Sequence, residues 1–368
     1  MGRKILYAIA APVIAAVIAL AIGAIVLIAS GKNPAEVYSE MVDYLMSWDS
    51  LVATLNRTGW FYVAGVAVAI GFKMNLFNIG VDGQYRLAAV CAAAAGAAMN
   101  GWSIPGVLQI TLIIIVAMAV GGAYAAIPGA LKVKRGVNEV VATIMLNSIA
   151  TGITALMLAR HWRDPESELV RQTRQIDERA WLPTIDIQGS ELQAWVFFAA
   201  AIGVIFYILV YRTRFGFDLR VSGMNPAAAR SSGVNPNAMV MKTIVLSGIV
   251  AGLIGMGPLL NEFHQYADQF PITLGFTGIS VALLGRNSPV GIAFGALVFA
   301  GIERASQILN TLEPPVPQSI GRILQGVILI VAVIVYEVVR RYAEAATVRE
   351  AAAKAEARYA HKEAEVVA

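Results

Sequence analysis

The chain has 368 residues, of which 58% are hydrophobic and 14% charged, with a mean hydropathy of +0.66. Those values exclude an ordinary soluble domain and a disordered chain, and leave a polytopic helical membrane protein. The formal net charge of +4 and the pI near 9.1 do not indicate nucleic acid as a partner, because the basic residues stand beside apolar runs rather than on one soluble face.

Apolar runs between polar punctuation predict ten helices, over about 5–29, 51–72, 84–99, 106–131, 138–159, 194–211, 239–258, 272–285, 290–310 and 319–339. The first follows Arg3-Lys4, is too long for the apolar core of a signal peptide, and has no convincing A-x-A end. It reads as a retained first helix. Next, Asn33-Pro34-Ala35-Glu36 offers a cap, a proline at the first helical position and an acid in the first turn. An amphipathic helix running to about Trp48 should follow, carrying Val37, Met41, Tyr44, Leu45 and Trp48 on its apolar face and resting on the membrane interface.

Between the second and third apolar runs lies a glycine- and amide-rich break, residues 71–86. Backbone at bilayer depth that is not helical must be buried in protein or line a wet cavity. Asn75, Asn78 and Gln84 are therefore candidates to line a solute path, Gly80 and Gly83 to act as hinges, and Lys73 and Asp82 to pair across the break. Cys91, the single cysteine, lies in an alanine-rich run and reads as a packing residue. Glu139 follows Asn138 at the start of the fifth helix, where it complements the helix dipole and can serve as a cap and charge partner.

Arg212 to Asn237 contains a helix of its own. Asn225 can cap, Pro226 fits the first helical position, Gly233 suits a left-handed stop, and Asn235-Pro236 opens the next membrane helix. The small residues between them form a face that a partner protein can approach closely. His264 has no second histidine or cysteine at ligand spacing, so no metal site is expected there. A second break, Gly275 to Ser280, places Phe276 and Thr277 as pathway candidates and Gly275 and Gly278 as hinges. The helix it opens is short for a full crossing. Two such interruptions in corresponding places predict two internally related halves, helices two to five and seven to ten, with a pathway near mid-membrane.

Arg3-Lys4, Lys132, Lys134, Arg135, Arg212, Arg214, Arg220, Arg230, Lys242 and Arg340-Arg341 fall on one side if ten crossings are counted. That puts both termini and the loop 212–238 in the cytoplasm and the loop 160–193 outside, although Arg160, Arg163, Arg171, Arg174 and Arg179 count against it. Residues 1–340 form the transmembrane domain, and the alanine-rich segment 341–368 reads as a cytoplasmic helical or disordered tail.

Four motifs in order carry a resemblance: Leu76 to Gln84, Gly136 to Asn147, Gly223 to Gly233 and Gly275 to Gly285. Together they look like the permease subunits of nucleoside-type ABC importers, in the wider group of ribose and branched-chain amino-acid permeases, over roughly residues 30–340. That family more often has Glu at the position of Asp82, which keeps the charge. The resemblance implies an all-α pore of two permease subunits, the second commonly a different chain, so that a heterodimer forms in the cell membrane. It also implies cytoplasmic ATPases that consume ATP and Mg, and an extracellular solute-binding lipoprotein that delivers a nucleoside. Gly223, Asn225, Pro226, Ala228, Arg230 and Gly233 would transmit ATPase closure, and residues 160–193, including Gln172, Thr173, Leu182 and Pro183, would dock the lipoprotein. The chain has no G-x-x-x-x-G-K-[ST] phosphate loop, so it is read as a transport subunit that binds no cofactor and is not itself an enzyme. The alternative is an ion-coupled secondary transporter, which would need carboxylates or histidines deep in its spans; only Asp82 and Glu139 qualify.

Overall fold

A computed structural model describes residues 2–167, 170–313 and 315–335, together with 338 and 341. The expected tail 341–368 lies outside the described residues apart from Arg341. Each of the ten apolar runs is helical: α1 (Gly2–Ala29), α3 (Trp48–Phe72), α4 (Val81–Ala98), α5 (Gly106–Arg135), α6 (Glu139–Arg160), α7 (Trp195–Arg212), α10 (Pro236–Leu253), α12 (Leu274–Leu284), α13 (Pro289–Ala305) and α14 (Ser319–Val335). Between them come α2 (Pro34–Met46), α8 (Arg214–Met224), α9 (Pro226–Ser231) and the single turn α11 (Met256–Pro258). The protein is an all-α polytopic membrane protein.

By length and hydropathy alone, five described helical segments suffice to cross a bilayer: Gly106–Arg135, Glu139–Arg160, Trp195–Arg212, Pro236–Phe263 and Pro289–Thr311. The others are shorter or less apolar for a physical reason that α3 illustrates. It is packed by α7, α10, α12 and α13, and every residue from Gly59 to Gly71 is buried. A helix wrapped by helices meets little lipid, so Asn56 and Arg57 are tolerated where they find protein partners, Glu191 and Glu303 respectively.

Two compact units are present, residues 43–305 and residues 2–42 with 306 onward. In the smaller one, Tyr38 donates its hydroxyl to the Leu20 carbonyl at 2.9 Å, and Gly23 leaves room for Leu324. Asn33 caps α2 as the sequence indicates, accepting from the Ala35 amide at 3.1 Å. The helix stops earlier than expected, because Ser47 accepts from the Ser50 amide and starts α3. Trp48 therefore does not extend the apolar face of α2; it opens α3 and donates from Nε1 to the Ile187 carbonyl at 2.8 Å.

In the larger unit, α5 and α10 pack at backbone distance, since a side chain on Gly121 would run into the Gly248 carbonyl. One end of this unit is formed by the loop 160–193. That loop holds an unforeseen hairpin, β1 (Thr184–Ile187) antiparallel to β2 (Ser190–Gln193), turned by Gln188 and Gly189 at φ 55° and 82°. It is stitched to the segment after α11: Thr173 N donates to Tyr266 O at 2.8 Å, Ile176 N to His264 O at 2.9 Å and Leu182 N to Leu260 O at 2.9 Å. The opposite end carries α8 and α9.

Candidate functional site

The break after α3 opens with a tight, hydrogen-bonded turn. Met74 N and Leu76 N both donate to the Gly71 carbonyl, at 2.9 and 3.0 Å, and Asn75 takes the left-handed conformation at φ 53°. The following helix, α4, begins at Gly80, which has no side chain to cap it. One of its orphan donors, and a carbonyl of the break before it, are met from another helix. Asn147 of α6 accepts from Gly83 N at 2.9 Å and donates to the Ile79 carbonyl at 3.0 Å. A side chain on Gly83 would stand 2.8 Å from the Asn147 oxygen, so the contact requires glycine.

The amides expected to face a solute are engaged inside the protein. Asn78 and Gln84 form a reciprocal pair, Asn78 Nδ2 to Gln84 Oε1 at 3.0 Å and Gln84 Nε2 to Asn78 Oδ1 at 3.1 Å, and are 3% and 1% exposed. Asn78 Nδ2 also donates to Ser247 Oγ at 2.9 Å, and Ser247 donates to the Ala67 carbonyl at 2.7 Å. This lock ties the break to α10 and α3. Asn75 instead reaches away from it, donating to the Gly223 carbonyl at 2.8 Å.

Lys73 and Asp82 do not pair across the break. Lys73 Nζ stands 5.2 Å from the Tyr211 ring centre, and the Asp82 carboxylate is 3.9 Å from Arg86 Nη1 on the same helix. An i,i+4 partner lies on the face Asp82 already shares, whereas the turn directs Lys73 towards α7. Arg86 also donates to Thr151 Oγ1 at 3.0 Å, a link between α4 and α6 that sequence reasoning missed.

The second break expected at Gly275 to Ser280 is helical instead: these residues lie within α12, the non-helical backbone precedes it at residues 264–273, and the glycines serve close packing. A Cβ on Gly275 would fall 2.5 Å from Asp82 Cα and N, and one on Gly278 would fall 2.7 Å from the Ala64 carbonyl group. These close approaches seat α12 against both the first turn of α4 and the middle of α3. Thr277 Oγ1 donates to the Thr273 carbonyl at 3.2 Å, and Phe276 is left 44% exposed. Of the five expected pathway residues, Phe276 is the one with a large open side chain.

The loop after α7 is capped as the sequence indicates. Asn225 Oδ1 accepts from Ala227 N at 3.0 Å and Ala228 N at 3.1 Å, Pro226 is the first residue of α9, and Gly233 is left-handed at φ 80°. Asn235 Oδ1 accepts from Ala238 N at 3.1 Å and opens α10. Pro226, Ala228 and Arg230 are exposed and Ala229 is buried, so α9 presents one small-residue face outward. The longer helix α8 before it was not foreseen. Its final glycine, Gly223, fits against the break: a Cβ there would be 2.6 Å from Met74 Cα. Met74 and Leu76 share one apolar cluster with Leu219, Met239 and Ile244, with Phe215 and Val234 packed beside it.

At the joint of α5 and α6, Gly136 is left-handed at φ 67° and Asn138 caps α6 through Val140 N at 2.8 Å. Glu139 Oε2 meets Lys132 Nζ at 2.5 Å, so it is the charge partner expected in the first helical turn, while the cap expected of it is supplied by Asn138. His264 stacks on Trp181 with ring centres 3.7 Å apart.

A broken segment between α3 and α4 with α12 packed on it, and a capped helix with an exposed face, on a mostly helical membrane scaffold, are features of a transport subunit. Residues 50–333 match the family model described as branched-chain amino acid transport system / permease component. The chain belongs to that permease family.

This permease is 31% identical to the guanosine ABC transporter permease protein NupP of Bacillus subtilis (strain 168), over 87% of this chain and 91% of the relative. It is also 31% identical to the nucleoside ABC transporter permease protein NupB of Lactococcus lactis subsp. cremoris (strain MG1363), over 96% and 97%. The glucose ABC transporter permease protein TsgB13 of Haloferax volcanii is 30% identical, over 90% and 88%. Membership of the ABC permeases sets aside the ion-coupled carrier.

Proposed function

We propose that this permease subunit carries a nucleoside inward across the cell membrane. It pairs with a second, related permease, takes its solute from an extracellular binding lipoprotein, and is driven by cytoplasmic ATPases that bind ATP and Mg. Both termini and α9 face the cytoplasm, and the hairpin loop faces outward. The nucleoside is favoured over glucose because two relatives named for nucleosides align over most of both chains, although the glucose permease is almost as similar.

The observation that carries the coupling role is the bond from Asn75 to Gly223, together with the fit of Gly223 on Met74. The exposed face of α9, with Pro226, Ala228 and Arg230, receives the ATPase, and α8 moves as a lever on the break. Asp82, Gly80, Gly83, Gly275 and Gly278 are hinge and packing positions of the same device. Phe276 and Thr277 line the path, and Asn78 and Gln84 hold it in shape rather than contact the solute in this conformation.

The test uses the full transporter in proteoliposomes. Asn75→Ala should leave the complex assembled and its ATPase active while uptake of labelled guanosine falls several-fold. Uptake at the wild-type rate, or uptake driven by an ion gradient without ATP, refutes the proposal. Competition by adenosine, guanosine and glucose for the purified binding protein separates the two solute classes.

A further inference from the structure

A groove of about 690 Å3 runs along α7 in the 43–305 unit, walled by α3 and the first turns of α13. Gly59, Tyr62, Gly203, Tyr207 and Pro289 shape it, and its walls are almost wholly apolar. From Val196 to Tyr211 it follows about 22 Å of helix, at about 1.5 Å per residue. One leaflet offers about 15 Å of hydrocarbon, half of a bilayer core of about 30 Å. The groove is thus long enough for an acyl chain along its length.

One end is basic and aromatic. Arg212 donates from Nε and Nη2 to the Tyr207 hydroxyl at 3.3 and 3.1 Å. The Arg220 guanidinium and Lys73 Nζ lie 5.4 and 5.2 Å from the centre of the Tyr211 ring, and Arg214 opens the next helix. Three other basic side chains of this unit meet acids of other helices: Arg57 with Glu303, Lys132 with Glu139, Arg304 with Asp49. Among the described residues, no carboxylate forms an ion pair with Lys73, Arg212, Arg214 or Arg220. The only acid on α8 is Asp218. A cationic cluster without carboxylate partners, at the mouth of an apolar groove and beside two tyrosines of the kind that mark membrane interfaces, is complementary to a lipid of negative charge.

We propose that the groove holds one anionic phospholipid, its acyl chain along α7 and its phosphate among Lys73, Arg212 and Arg220. An apolar helix of another subunit does not fit as well, because covering this end would bury several cations whose partners among the described residues are only neutral groups, the Tyr207 hydroxyl, the Val210 carbonyl and the Tyr211 ring, with no negative charge to offset them. Lys73 directly follows α3 and stands two residues before Asn75, which bonds Gly223. The headgroup therefore sits beside the contact between break and coupling loop.

The full transporter is reconstituted in phosphatidylcholine vesicles with and without phosphatidylglycerol, extracted, and examined by native mass spectrometry for retained lipid. One phosphatidylglycerol should remain on the wild type. Lys73→Gln and Arg212→Gln should each weaken retention about fivefold, the effect of one interfacial charge. Val204→Trp fills the apolar wall at a residue that is 58% exposed and should abolish retention without touching a charge; Ala200→Phe is a second filling variant. Equal retention of phosphatidylcholine and phosphatidylglycerol overturns the proposal, as does retention unaffected by variants that melt like the wild type. Photocrosslinking of a second permease from a benzophenone label on Ala200→Cys, in a Cys91→Ala background, also overturns it, assigning the groove to protein.

Discussion

Asn147 shows how much of this site depends on single side chains. It satisfies one donor and one acceptor of the break from a different helix, and removing it leaves both part-buried groups unmatched. Asn147→Leu should cost about 1–3 kcal/mol and lower the thermal midpoint in detergent; an unchanged midpoint would show that the contact is dispensable. His264 offers a pH test outside the spans. Burial lowers its pKa from the ordinary 6.5, so the unfolded chain takes up a proton at higher pH than the folded one. Its contribution is complete above about 6.5 and is lost as the pH falls towards the folded value. His264→Phe keeps the stack on Trp181 and should flatten that acid-side loss. If wild type and variant lose equal stability between about pH 7.5 and about pH 5.5, another group is responsible. Asn33, Asn225 and Asn235 were legible as caps because a capping side chain bonds amides only two or three residues ahead. Asn147 was not, since its partners lie 64 and 68 residues away.

At the scale of elements, the decisive piece is α9 with its stop at Gly233. A β-branched side chain is strained at φ 80°, so Gly233→Val should uncouple ATP hydrolysis from uptake while the subunits still copurify. Wild-type coupling in that variant would remove α9 from the drive train. The boundaries of α9 and α10 were readable from Asn-Pro pairs. The helix before them was not: α8 contains Gly216 and Gly223, which suggest a loop in sequence. Both glycines are there for space, Gly216 against the Val210 carbonyl and Gly223 against Met74. The hairpin at 184–193 escaped notice for a related reason. Its four-residue strands are held by pairing and by the bond from Asn56 to Glu191, not by a long alternating pattern.

For the molecule as a whole, the loop 160–193 is bonded into the permease rather than draped over it. Deleting it would strip partners from Leu260, His264 and Tyr266, so its role is better tested at exposed positions. Arg171 and Arg174 are exposed on this loop. Under the proposed outward orientation, reversing both to Glu should raise the concentration of binding protein needed for half-maximal uptake and leave basal ATPase activity in place. An unchanged requirement would move the docking surface elsewhere. The sequence by itself determined the membrane class, the ten helical runs, most of the caps and the position of the break after α3, because hydropathy and capping act over a few turns of chain. Only the tertiary structure decided that Gly275 rests on Asp82, that Gly223 rests on Met74, and that Asn78 and Gln84 bind each other. Which polar atoms remain open depends on partners brought together from distant parts of the chain, and no local pattern records that.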